Sequence, residues 1–195
     1  VSAFLLNRSS DLAIVKSYGF FLGDTEITEA NYDLLDKPTR YLSGVSDGEF
    51  NYNPDEKTLT MKDVKIDGQI LNKENPGLRI IVRGECQASK LITYCNTKLL
   101  NYGNKINNRL TVDHVEIGHY STLYTYTYLY TGSIHGDRDI DKGKVSKLCL
   151  ENDGSNLYGK VFFAGSPKDK IVMCNVKLVD IVDNPSKLTL NTLKT

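Results

Sequence analysis

Four apolar residues, Leu59, Met61, Val64 and Ile66, stand 2, 3 and 2 positions apart. A period of two places side chains on one face of a strand. The extra residue in the middle reverses that phase, so the chain must bend there to keep all four side chains in one core. The same spacing returns at Leu110, Val112, Val115 and Ile117, and at Ile171, Met173, Val176 and Leu178. A repeated strand-kink-strand unit is therefore the strongest constraint on the fold. No helical pattern lies between the units, which excludes a βαβ sheet. Two all-β architectures satisfy the pattern. One is an antiparallel β-sandwich. The other is a solenoid in which each coil buries one apolar stripe against the next. The likeness of the units, and the scarcity of Asn-Gly hairpin signals, favour a right-handed parallel β-helix of few coils. The units are unevenly separated, so insertions interrupt any simple period.

Upstream of the first unit, Tyr18 to Thr28 (YGFFLGDTEIT) reads as a hairpin turning at Gly23-Asp24. Residues 29–35 are the best helical candidate, capped by Thr28 and ending before Pro38. Hairpin and short helix together would cap the first coil, whose apolar end and strand edges otherwise lie open. The expected organisation is one domain over 1–195, with a cap region at 1–49 and coils at 50–190. Further strands are expected over 78–82, 91–100, 123–130, 147–150, 157–163 and 188–190.

At 195 residues the chain can bury a full core. Twelve Tyr and no Trp, with many Val, Ile and Thr, agree with β structure. Lys+Arg and Asp+Glu are balanced at 24 each, so the composition gives no sign of a nucleic-acid partner. No apolar run approaches the ~20 residues of a membrane-spanning helix. The chain begins at Val1, which reads as a processed or trimmed start, and its opening VSAFLL lacks the basic segment of a signal peptide. None of the cysteines, Cys86, Cys95, Cys149 and Cys174, forms a C-x-x-C pair, and each lies in or beside an apolar strand. They read as small buried hydrophobes, with one or two disulfides as the alternative in an exported protein.

The residues from Tyr18 to about Gly84, YGFFLGDTEITEANYDLL…GEFNYNPDEKTLTMKDVKIDG…NPGLRIIVRGE, resemble a recurring module of secreted and surface β-helix proteins of gut Bacteroidetes and Firmicutes. Later stretches (RLTVDHVEI, KLCLEN, KIVMCNVKL) follow the pattern more loosely, and 119–146 is long for one coil. The resemblance implies export and a place in the bacterial cell envelope. Some members of that group are described as carbohydrate-binding. It carries no defined set of functional residues.

The residues that could carry chemistry lie outside that resemblance or are not defined by it. Tyr124, Tyr126, Tyr128 and Tyr130 alternate with Leu and Thr. In one continuous strand all four rings would share a face, forming a platform on which sugar rings stack and to which hydroxyls hydrogen-bond. The plain alternative is that the row packs inward. Asp137, Asp139 and Asp141 alternate in an acidic turn that could wrap calcium, the one cofactor suggested, although Lys142 and Leu148 break the EF-hand pattern and a solvated turn explains the turn as well. His114, His119 and His135 lack metal-ligand spacing. Asp63, Asp67, Asp113 and Glu116, with Lys62, Lys65 and Arg109 nearby, are the carboxylates and bases a hydrolase or lyase would draw on. Solvated surface charge accounts for them equally well. No nucleophile-elbow, zinc-protease, phosphate-loop or dinucleotide motif occurs. The expected function is a non-enzymatic, secreted or cell-surface module that binds a polysaccharide or host glycan, or acts as an adhesin. A β-helix lyase or hydrolase, and a purely structural segment of a larger surface protein, are the rivals.

Overall fold

A computed structural model of the chain describes residues 15–35, 42–104, 107–118, 121–136, 146–150, 160–163, 173–174, 176–180 and 190–192. Its strands are β1 (Ser17–Leu22), β2 (Thr25–Thr28), β3 (Val45–Asn53), β4 (Thr58–Asn72), β5 (Leu78–Arg83), β6 (Glu85–Thr93), β7 (Thr97–Asn101) and β8 (Arg109–Ile117). They continue with β9 (Thr122–Thr125), β10 (Tyr128–Gly136), β11 (Ser146–Leu150), β12 (Lys160–Phe163), β13 (Met173–Cys174), β14 (Val176–Asp180) and β15 (Leu190–Thr192). Among β4 to β15 every described pairing is parallel. The chain is thus a parallel β-solenoid of about 4 turns, and the antiparallel sandwich is ruled out.

Each coil crosses three faces. The first stacks residues 58–62 of β4 on β5, β7, β9, β11 and β14. The second and third faces share long strands that bend in the middle. The ladders of β6 on β8 and of β8 on β10 each skip one rung, at Ser89, Asp113 and Gly132. Further along, β12 continues only the first half of β10 and β13 only the second half. The skipped rung is therefore a corner.

This geometry explains the 2, 3, 2 spacing. Leu59-Met61 and Val64-Ile66 flank the corner between the first and second faces. Leu110-Val112 and Val115-Ile117 flank the corner between the second and third. Met173 and Val176-Leu178 lie on either side of the passage from the third face back to the first. The three units are one solution to turning a corner, used once at each corner, and not three equivalent copies of one coil position. Asp63, the residue between Met61 and Val64 after Lys62, takes φ 50 to make the first of these turns.

The core is the inside of the coil. On the first face Leu59, Ile80 and Leu99 stack in register, and on the third Ile70, Leu91, Val115 and Ile134 do so. All are 0–1% exposed. Burying one such aliphatic side chain is worth about 2 kcal/mol.

Three edges of the first coil would be open without the cap. Strand β1 runs antiparallel along 70–72, and β3 runs antiparallel along 58–66. The hairpin of β1 and β2 forms as the sequence indicates, turning at Gly23-Asp24. The antiparallel capping strand extends to Asn53, so it crosses the expected 49/50 division. The expected helix over 29–35 is reduced to a 3-10 turn, Tyr32–Leu34. Asn31 accounts for this. Its side chain accepts from the Thr28 amide at 2.8 Å and donates to the Glu26 carbonyl at 2.9 Å, closing a local turn. Seven residues are also too few to offset helix nucleation.

Candidate functional site

The outer side of the first face carries three columns of side chains, each running across the rungs. In one, Arg79 is level with Lys98 and Lys98 with Tyr124. In the next, Thr60, Ile81 and Leu100 are level, and Tyr126 follows where its amide bonds the Leu99 carbonyl at 2.8 Å. In the third, Lys62 is level with Arg83, whose guanidinium lies 4.1 Å from the centre of the exposed Tyr102 ring. Alternation dictates this arrangement: Leu59, Ile80 and Leu99 point in, so their neighbours point out. The result is an aliphatic strip of Ile81 and Leu100, ended by Tyr126 and flanked by cations. Arg79 and Lys98 are exposed. Among the described residues neither has a carboxylate within ion-pair distance, whereas Lys62 is held by Glu49 of the capping strand at 2.7 Å.

The tyrosine row does not occupy one strand face. Strand β9 ends at Thr125 and β10 begins at Tyr128, so the chain turns a corner within the row. Tyr124 and Tyr126 fall on the first face, and Tyr128 and Tyr130 on the second, level with Arg109 and Thr111. Perfect alternation of Tyr with Leu and Thr hid the bend because both faces obey the same period. Tyr128 is only 7% exposed, and the other three are partly buried. Lys98 lies 5.6 Å from the Tyr124 ring and Arg109 5.7 Å from that of Tyr130. Likewise the expected strand over 91–100 is two strands, broken at Tyr94–Asn96.

Among the carboxylates, Asp67 and Asp113 line one groove of about 220 Å³ at the second corner, together with Lys65, Ser89 and Thr111. Asp113 stands two rungs beyond Asp67, roughly 10 Å along the ladder. Asp63 is elsewhere, at the first corner, where it accepts from the Glu85 amide at 3.1 Å. Arg109 is paired with Glu85 at 2.8 Å and Glu116 accepts from the Tyr94 hydroxyl at 2.9 Å.

His114 and His135 meet on the third face with ring centres 4.7 Å apart, and His114 Nδ1 lies 2.8 Å from Ser133 Oγ. Burial holds the His114 pKa below its ordinary value. The neighbouring His135 and Lys90 add to this and Glu116 opposes it. Burial also pushes the Cys86 and Cys95 thiols up, and both are unbridged. Asp137, Asp139, Asp141 and His119, and the side chains of Cys149 and Cys174, lie outside the described residues. A cleft of about 360 Å³ at the cap is lined by Tyr18, Tyr52 and Asn75 under a rim of Lys16, Asp55, Lys57 and Glu74. The amide nitrogen of Asn75 is committed, Nδ2 donating to the Tyr18 carbonyl at 2.9 Å and the Tyr52 hydroxyl at 3.1 Å, while its Oδ1 is buried with no hydrogen-bond partner among the described residues.

Sequence reading passed over Arg79, Lys98, Ile81 and Leu100. The signal lay in the coil length: Arg79 and Lys98 become neighbours only when residues 19 apart are stacked. No family model, no curated protein and no solved structure matches the chain.

Proposed function

We propose that this chain is a non-enzymatic glycan-binding module of a secreted or cell-surface protein, and that the outer first face is its binding surface. One observation carries the reading. Tyr124 and Tyr126 stand beside the partly exposed Ile81 and Leu100, giving a flat amphipathic surface bordered by hydrogen-bond donors. Sugar rings present apolar C–H faces and a polar rim, and such a surface matches both. The resemblance of residues 18–84 to secreted β-helix modules agrees with this use and with an envelope location.

The test is retention of the full chain on a panel of immobilised polysaccharides. Tyr126→Ala is expected to lower retention at least tenfold, while Tyr128→Ala, on the second face, leaves it within twofold. Equal retention of the Tyr126 variant and the parent would remove the stacking surface from the account.

A second reading, glycoside hydrolysis, is favoured by the groove shared by Asp67, Asp113 and Lys65. Carboxyl groups on opposite sides of a scissile bond, ~6.5–9.5 Å apart, define inverting hydrolases. New reducing ends formed by the parent and absent with Asp113→Asn would establish that reading and displace the non-enzymatic one.

A further inference from the structure

We infer that the glycan is a linear polyanion, bearing carboxylates or sulfates, that lies along the solenoid axis and crosses the rungs of the first face. The inference rests on the glycan-binding reading of that face and adds the ligand's charge and direction. Three observations carry it.

The first is the separation of charge by face. Arg79, Lys98, Lys62 and Arg83 all project from the first face, and Glu49 offsets only Lys62. The second face pairs Arg109 with Glu85 and exposes Asp67 and Asp113 against Lys65. The third carries both signs, Glu116 and the exposed Lys90, each near His114. Among the described residues the first face is thus the cationic side of a chain whose formal charge is zero.

The second observation is repeat length. Arg79 and Lys98 sit on successive rungs, as do Lys62 and Arg83. Rungs are about 4.8 Å apart, close to the length of one pyranose unit. Over two successive rungs on each side, a polysaccharide running across them therefore meets one cation per sugar. Running along β5 it would meet Arg79 and Arg83 with Ile81 between them, four residues or roughly 13 Å apart, which is more than two sugars per cation.

The third is the relation of charge to stacking surface. The cations flank the Ile81–Leu100 strip and do not interrupt it. A sugar ring can rest on the strip while its carboxylate or sulfate reaches Arg79 or Lys98 at the side. Arg79 can hold such a group through two parallel N–H donors. Arg83, stacked on Tyr102, is already oriented at the opposite border.

The experiment measures binding of the full chain to polygalacturonate, to the same polymer with its carboxyl groups reduced to alcohols, to chondroitin sulfate and to polyuridylate. Each is titrated at low and moderate salt. Arg79→Gln/Lys98→Gln is compared with Lys90→Gln, an exposed substitution on the third face. The inference predicts binding of at least one acidic glycan. That binding should be at least tenfold tighter than to the reduced polymer and weaken with salt. The double variant should lose it at least tenfold and Lys90→Gln should keep it. Equal binding of the reduced polymer with no effect of the double variant overturns the inference and leaves glycan binding standing. Binding to none of the glycans overturns both readings, and preference for polyuridylate overturns the inference in favour of a nucleic acid.

Discussion

Asn72 is fully buried at the turn from the third face back to the first, and its side chain is saturated. Nδ2 donates to the Asn75 carbonyl at 2.9 Å and to Thr97 Oγ1 at 2.8 Å, while Oδ1 accepts from the Asn75 amide at 3.0 Å. Replacement by Ala strands partners that have no access to water, so Asn72→Ala is expected to cost about 3 kcal/mol in chemical denaturation. His114 sets a pH dependence. A histidine whose pKa is lowered by folding takes up its proton more readily when unfolded. Its stabilising contribution is complete above about pH 6.5 and is lost as pH falls below that value. The melting temperature of the parent should therefore drop more between pH 8 and pH 5 than that of His114→Gln. An equal drop would mean the ring does not couple to folding.

At the scale of elements, legibility followed local chemistry. The hairpin of β1 and β2 was readable because Gly23-Asp24 is a two-residue turn between apolar runs. The bends inside 91–100 and 123–130 were not, since a corner needs no glycine or proline when side chains complete it. Asn108 shows how: Oδ1 accepts from the Gly84 amide at 2.7 Å, and Nδ2 donates to the Tyr102 carbonyl and to Asn101 Oδ1. One side chain thus ties together the backbones of adjacent coils. The capping strand β3 depends on a different device. Gly48 has φ +100, and a Cβ there would lie 2.5 Å from Val64 Cα. Gly48→Ala should destabilise the protein by about 2 kcal/mol or more. Because β3 covers the edges of 58–66, the variant should also self-associate on warming, as read by light scattering. Destabilisation without association would show that β1 and the remainder of β3 suffice to block the edge.

For the whole molecule, the class of fold was legible because the phase reversal in the apolar spacing admits few solutions. The candidate surface was not legible, because it is made of residues that are neighbours only between coils. Net charge is a sum over the chain, and it hid a first face on which Arg79 and Lys98 stand together. The corners have a further consequence, for how such a chain tolerates change in length. Within a strand the register is fixed at two residues per repeat, and inserting one residue in β5 between Ile80 and Ile81 would exchange core and surface for the rest of that strand. At the outward turn of Tyr102 and Gly103, both exposed, an added residue lengthens a loop and leaves every rung in place. A glycine inserted after Gly103 should leave the melting temperature within a few degrees of the parent, while one inserted after Ile80 should abolish cooperative melting. Insertions and deletions are thus free at outward loops such as this one, and forbidden along faces and at the one-residue corner that β6, β8 and β10 share in register. The uneven spacing of the units in this sequence is what that freedom leaves behind.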